Sequence, residues 1–328
     1  MRERPEGIGE AELDDALRAW GIDGVSWTHE PVGFGDHHWT AADPRGRRWF
    51  VTVADLAHKS HCGAGADAAF EGLSRAMDTA LALREHAGRE FVVAPLPAAG
   101  GGTVHRIGAR YAVSVFPHVD GVAGGFGDRL DAHERGALLD TLAVLHRTPP
   151  PATTPRLRPA LPGRPALESA LAGLHDPWHG GPYAEPARDL TREHAAVLRR
   201  RLAEFDRRAA ALERGGAERV VTHGEPHPGN LLRRGAGHAL VDWDTVGLAL
   251  PERDLWLVVT GPEDFDRYQD AAGRRPDPEA LALHGLRWQL EDVAVFLGGF
   301  RSAHAATADT DLAWRSLSGT VRALAQPG

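Results

Sequence analysis

The stretch Val220-Val-Thr-His-Gly-Glu-Pro-His-Pro-Gly-Asn-Leu-Leu232, followed by Ala239-Leu-Val-Asp-Trp-Asp244, constrains this chain more than any other. Pro226 and Pro228 restrict the backbone of the loop, and Gly229 can take dihedrals that other residues avoid. The loop carries a carboxylate at Glu225 and an amide at Asn230, five positions on (230 − 225). A short hairpin from Leu231 then returns the chain after twelve positions (242 − 230) to a second carboxylate at Asp242. Hard Mg²⁺ takes one or two protein oxygens together with phosphate oxygens and water, which Asn230 and Asp242 match as metal ligands. Glu225 is then the catalytic carboxylate, placed to accept the proton of a hydroxyl group. Positioning of a hydroxyl, cancellation of phosphate charge by metal and a proton acceptor are what phosphoryl transfer asks of a protein.

The neighbours of this loop read as its supports. His223 is a structural hydrogen-bonding residue. Glu252-Arg253-Asp254 opens a helix, with Asp254 tying the loop through hydrogen bonds. His227 either braces the loop or touches substrate. Asp244 either caps the following turn or assists the metal; both are counted among the residues facing the acceptor.

The rest of the chain divides by its patterning. Residues 10–20 have helical spacing and end at Gly21, a C-terminal cap. Strand patterns follow at 25–32, at 33–39 and at 48–53, with a turn at Asp43-Pro-Arg-Gly46. Residues 66–87 read as one helix. Phe91-Val-Val-Ala-Pro-Leu-Pro97, the triple-glycine turn at 100–102 and Arg110–Phe116 read as a second hairpin. After Phe116-Pro-His-Val-Asp-Gly121 the chain turns helical, at 130–147, 189–214, 252–261, 278–305 and 308–325. Ten prolines between Pro149 and Pro186 mark a long loop, which in a compact domain is functional or mobile. The expected fold class is α+β, in two lobes: residues 1–116 as a small antiparallel-sheet lobe for nucleotide, and 117–328 as a larger, mainly helical lobe with the loop and acceptor site.

Composition matters in three places. The net charge of −8 argues against nucleic acid and fits a polar, cationic small molecule. The start, Met-Arg-Glu-Arg-Pro-Glu-Gly7, lacks the apolar core of a signal peptide, and no apolar run approaches a membrane span, so a cytoplasmic protein is expected. Cys62 is the only cysteine and Lys59 the only lysine. One cysteine excludes an intrachain disulfide. One lysine means that any phosphate contact requiring an ammonium falls to Lys59. The eighteen histidines do not suggest a metal-dependent hydrolase, because the close pairs His37-His38 and His58/His61 lack convincing ligand spacing.

His223-Gly-Glu-Pro-His-Pro-Gly-Asn230, Val241-Asp-Trp-Asp244 and Pro251-Glu-Arg-Asp-Leu255 resemble the motifs of the aminoglycoside phosphotransferase family, relatives of choline kinases and protein kinases. Leu145-His146 and Phe116–Gly121 are also similar to the family pattern. Arg287–Val295 looks like the spectinomycin phosphotransferase branch. The resemblance implies a bilobal kinase-like fold and transfer of phosphate from ATP or GTP, with Mg²⁺, to a hydroxyl of an aminoglycoside, an aminocyclitol or another small metabolite; antibiotic resistance would be one outcome. It also implies that Phe116 lies at the adenine and Gly33 and Gly35 over the phosphates. Glu291 and Asp292 would then face the acceptor's amines. A kinase-like binding protein without transfer activity is the alternative from another class.

Two positions depart from the pattern. Thr52 stands on the third strand where the family has lysine or arginine, so either Lys59 swings in from the segment after the strand, with Glu71 as an ion-pair partner, or an arginine substitutes, or phosphate binding is weakened. Glu225 replaces an aspartate, which lengthens the side chain by a methylene.

Overall fold

In the computed structural model, residues 1–33, 35–235 and 237–326 are described. The chain forms two compact units: residues 1–157 with 218–276, and residues 158–217 with 277–328.

The first unit opens with α1 (Glu10–Leu17) and a five-stranded antiparallel sheet. Its strands are β1 (Ser26–Glu30), β2 (Asp36–Ala42), β3 (Arg48–Asp55), β4 (His105–Ile107) and β5 (Tyr111–Pro117), in the order β1-β2-β3-β5-β4. Alternation sets its core: Trp49, Val51 and Val53 of β3 are buried on one face with Trp39, Val113 and Val115, and Leu13 and Leu17 pack against them. The opposite face of β3 is left to Phe50 and Thr52. Between β3 and β4 runs α2 (Ala66–Glu85), whose buried stripe Ala69, Leu73, Ala76, Met77, Ala80 and Leu83 follows helical spacing.

Residues 91–97 do not form the strand expected from their apolar run. Val92 makes only an isolated bridge to Leu240. Val93 N–H donates to Leu240 O (3.0 Å) and Leu240 N–H to Phe91 O (2.7 Å), which ties this segment to the return arm of the later hairpin. Prolines 95 and 97 remove the donors a longer ladder would need.

The unit continues with β6 (Val122–Ala123), α3 (Ala132–His146), β7 (Val220–Thr222), β8 (Leu231–Arg234), β9 (Gly237–Leu240), β10 (Gly247–Ala249), α6 (Glu252–Leu255) and α7 (Pro262–Ala272). Asp131 and Glu134 form a capping box at the start of α3. β7 pairs with β10, while β8 pairs with both β9 and β6. The helix expected at 252–261 is a single turn, because Gly261 and Pro262 restart the chain as α7.

The second unit is built from α4 (Arg164–Ala172), α5 (Ala184–Arg214), α8 (Pro278–Arg301) and α9 (Ala308–Ala325). Leu167, Leu198, Leu202, Leu283, Leu290, Leu297, Leu317 and Val321 form its core. The proline-rich segment is thus not one long loop. Pro165 sits in the first turn of α4, where a missing N–H costs nothing, and α5 starts at Ala184, five positions earlier than expected.

Candidate active site

The loop His223–Asn230 is held almost atom by atom. Asp254 is fully buried. Its Oδ2 accepts from His223 N–H (2.8 Å) and from His146 Nε2–H (3.0 Å), and its Oδ1 accepts from Gly224 N–H (2.6 Å). Tyr268 donates its hydroxyl to His146 Nδ1 (2.6 Å), completing a buried chain from α7 through α3 to the loop. Burial alone would raise the Asp254 carboxyl, but the hydrogen bond from His146 and the Arg253 charge outweigh it and hold the carboxyl below the usual range.

His223 plays the supporting part its sequence position suggested. Its Nε2–H donates to Val241 O (2.9 Å) and its Nδ1 accepts from Glu225 N–H (3.2 Å), while its edge meets Trp243 at 4.5 Å between centroids. Gly224 has φ +107°, and a Cβ there would lie 2.4 Å from the Arg253 guanidinium. That guanidinium is already committed to Thr222 Oγ1 (2.9 Å) and Thr245 O (2.8 Å), so it has no free direction in which to yield. Gly224→Ala is therefore expected to cost on the order of 1–3 kcal/mol, read as a lowered midpoint in urea.

Asn230 is buried and donates Nδ2–H to Glu225 O (3.0 Å), which directs its amide oxygen away from the loop backbone. Its carbonyl accepts from Val241 N–H (3.0 Å), placing the end of the hairpin beside it. Asp242 follows, with φ +64°, the one positive φ outside glycine among the described residues. An aspartate tolerates that region at a cost, and such outliers gather at functional sites. Trp243, fully buried, locks the turn by donating Nε1–H to Leu240 O (2.9 Å).

Lys59 enters this neighbourhood from the turn after β3. Its Nζ lies 2.8 Å from Asp36 Oδ2 and 2.6 Å from Asp244 Oδ2, and His61 Nε2 lies 3.0 Å from the same Asp244 oxygen. Burial works against each charge, yet the two cations hold the Asp244 carboxyl well below its ordinary range. Asp244 in turn pushes His61 up to about 10 and, with Asp36, lifts Lys59 further above its usual value. The Asp242 carboxyl goes the other way, raised by desolvation and by the Asp244 charge, although the residue keeps an exposed side. Desolvation, then Asp244, also raises Glu225. Glu225, Asp36, Asp242, Asp244, Lys59 and His61 therefore share one electrostatic neighbourhood, with more acid than base.

That imbalance suits a divalent cation. Asn230 and Asp242 are the side chains that could hold it, and two protein oxygens, with phosphate and water completing the shell, would suit Mg²⁺. Among the described residues no group of three or more His, Cys, Asp or Glu side chains is arranged to enclose a metal ion.

The other expected site residues fall as follows. Gly33 and Gly35 lie in the turn between β1 and β2 with φ +71° and +102°. Thr52 hydrogen-bonds with His38 Nδ1 (3.2 Å) across the β2–β3 pair, and burial pushes His38 down to about 3. Phe116 is buried at the end of β5, opposite Phe50. Lys59 takes Asp36 and Asp244 as partners, and Glu71, the acid expected for that role, is exposed on α2. Asp244, expected at the acceptor, is engaged by Lys59 and His61. His227 Nδ1 accepts from Gly229 N–H within the loop (3.1 Å). Glu291 and Asp292 lie on α8 in the second unit, where Glu291 Oε1 accepts from Gly163 N–H (2.8 Å) at the start of α4. Asp36, His61 and Tyr268 were missed by sequence reading. The lone lysine implied acidic partners, but only the β2–β3 pairing shows that Asp36 is one of them.

A sheet-bearing N-terminal part, a helical C-terminal part and a carboxylate–amide–carboxylate loop define a kinase-like phosphotransferase. The model of the phosphotransferase enzyme family (APH) matches residues 34–284. StrN from Streptomyces griseus is 33% identical over 260 residues, covering 74% of this chain and 75% of that protein. The chain belongs to this family of small-molecule phosphotransferases. Its fold is that of spectinomycin phosphotransferase in complex with ADP and spectinomycin, with TM-score 0.69 at 15% identity over 98% of this chain and 100% of that one. A microcompartment-associated aminopropanol kinase matches with TM-score 0.61 at 17% identity over 97% of both chains. No helix among the described residues is long and apolar enough to cross a membrane.

Proposed function

We propose that this protein transfers the γ-phosphoryl group of ATP or GTP, with Mg²⁺, to a hydroxyl of a small, polar, amine-bearing acceptor such as an aminocyclitol or aminoglycoside. The observation that carries this reading is the single acidic neighbourhood in which Glu225, Asn230 and Asp242 are presented by one braced loop and hairpin, with Lys59 entering beside them. In it, Asn230 and Asp242 would hold Mg²⁺, which when bound supplies charge neutralisation to the phosphates. Lys59 is the one lysine in the chain, and it would replace the strand lysine missing at Thr52 by exchanging a carboxylate contact for a phosphate oxygen. Gly33 and Gly35 would let the β1–β2 turn cover the phosphates, and Phe116 would meet the base. Glu225 would orient the acceptor hydroxyl and take its proton as the oxygen attacks phosphorus and the bond to the nucleoside diphosphate breaks.

The test is transfer of labelled γ-phosphate to a panel of aminocyclitols, amino sugars, nucleosides and short amino alcohols. At least one acceptor is expected to be labelled, and chelation of Mg²⁺ is expected to abolish labelling until Mg²⁺ is restored. Undiminished labelling in the chelator, or no labelling of any acceptor by protein that binds Mg-nucleotide in calorimetry, would remove the proposal.

A further inference from the structure

The segment after β5 builds a second feature against the Glu225 loop. Residues 121–129 are rich in glycine and largely exposed, yet they are pinned to the loop at Gly124 and closed on themselves between Gly125 and Asp128. Gly124 N–H donates to Pro228 O (3.0 Å), and Gly125 N–H donates to Asp128 Oδ2 (2.6 Å). β6, just before, pairs with β8 on the far side of the loop. The turn so formed presents Phe126, which is 53% exposed, the one aromatic among the exposed large hydrophobic residues described. Val122 on β6 is 65% exposed beside it in sequence. Exposed apolar side chains scattered singly need no explanation, but an aromatic ring fixed against an active-site loop does.

Phe126 meets His227 edge to face, with 4.8 Å between ring centroids and 74° between planes. His227 is two positions from Glu225, and its N–H donates to Glu225 O (2.8 Å). Because His227 Nδ1 accepts from Gly229 N–H, the ring proton sits on Nε2, which makes that atom a donor. Gly229 is required for this packing, since a Cβ there would lie 2.9 Å from His227 Cε1. An aromatic ring and an imidazole N–H are thus held on the loop that carries Glu225, while Lys59, His61, Asn230 and Asp242 would serve phosphate and metal.

We propose that Phe126 and His227 form the acceptor subsite, and that the acceptor is a saturated, polyhydroxylated ring, a cyclitol or sugar, laid with its C–H face on Phe126 and with an oxygen accepting from His227 Nε2–H. The axial C–H groups of such a ring carry partial positive charge, which the negative face of the aromatic quadrupole attracts, and its equatorial oxygens point outward to a donor. A short acyclic amino alcohol has no such face. This inference rests on the phosphotransferase reading of Glu225 and narrows its substrate.

The experiment is saturation-transfer NMR and calorimetry with spectinomycin, 2-deoxystreptamine and glucosamine as ring probes and 1-amino-2-propanol as the acyclic one, in the presence of Mg²⁺ and a non-hydrolysable ATP analogue. The wild type is expected to bind at least one ring probe, with the strongest transfer at ring C–H protons. Phe126→Ala is expected to weaken that probe about tenfold, Phe126→Tyr to preserve it, and Phe126→Leu to recover only part. Nucleotide affinity is expected to stay unchanged in all three, and because Phe126 is exposed the variants keep their fold. The proposal is overturned if Phe126→Ala binds the ring probe within twofold of wild type, if its loss falls on the nucleotide, or if the wild type takes only the acyclic probe or no probe at all. In the last two cases calorimetry with Mg-nucleotide still decides the phosphotransferase reading separately.

Discussion

Replacing Lys59 with methionine is expected to lower the unfolding free energy by about 3–5 kcal/mol, the usual cost of removing one partner from a buried ion pair. Lys59 is buried between Asp36 and Asp244, whose side chains are 11% and 9% exposed. Without the ammonium both carboxylates stay within electrostatic reach of Asp242, which also feels Glu225. His61 can hold Asp244, but Asp36 loses its hydrogen-bonded ammonium, and its Oδ1 has no hydrogen-bond partner among the described residues even with Lys59 present. The double variant Lys59→Met, Asp36→Asn is therefore expected to regain much of the lost stability, because the second change removes the stranded charge. Affinity for Mg-ATP is expected to stay low in both variants, since neither offers an ammonium to the phosphates. Urea unfolding and calorimetric titration read the two effects apart. A double variant that recovers nucleotide affinity would make Lys59 a strut and return the phosphate contact to some other cation.

The same cluster shows where the sequence was transparent and where it was opaque. The loop was legible because its chemistry is local: Glu225, the two prolines and Asn230 lie within six residues, and Asp242 follows one hairpin later. The brace by Asp254 was legible from its place in Glu252-Arg253-Asp254 at the start of a helix, although it reaches back thirty residues to Gly224. The alternation in β3 and the stripe in α2 gave the N-terminal sheet and its helix. What was hidden depends on pairing between distant segments. Asp36 meets Lys59 only because β2 and β3 pair with Asp36 opposite Ala54, five positions (59 − 54) before the lysine. Tyr268 reaches His146 because α7 packs on α3, and nothing in either segment alone announces it. The 91–97 run misled because its apolar pattern is that of a strand, while its prolines deny it a ladder. The proline-rich stretch misled the other way, since Pro165 starts a helix as readily as it breaks one.

Glu225→Gln is expected to cut kcat by roughly 10²–10⁴, the range for losing a positioned general base, and to raise the thermal midpoint at neutral pH. The second effect follows from the sign of the shift. Desolvation and the Asp244 charge raise the folded-state carboxyl above its ordinary value of 4.5, so the folded protein resists ionising this group. A group raised on folding contributes stability below its unfolded pKa and loses it as pH rises through the folded one. At neutral pH the ionised Glu225 is thus a cost to the fold, and the neutral amide removes it. For the same reason kcat/KM is expected to fall on the acid side with a limb above the ordinary glutamate range, because the base must be ionised to act. Glu225→Asp keeps the charge but shortens the reach by about 1.5 Å, and displacement on that scale costs on the order of a hundredfold. The three measurements separate the roles. A base gives low kcat and a higher midpoint in the glutamine variant, with the acid limb retained in the aspartate one. A carboxylate that only orients the hydroxyl gives a glutamine variant close to wild type in kcat, since the amide oxygen accepts the same hydrogen bond, and catalysis would then rest on the metal site at Asn230 and Asp242 with positioning alone.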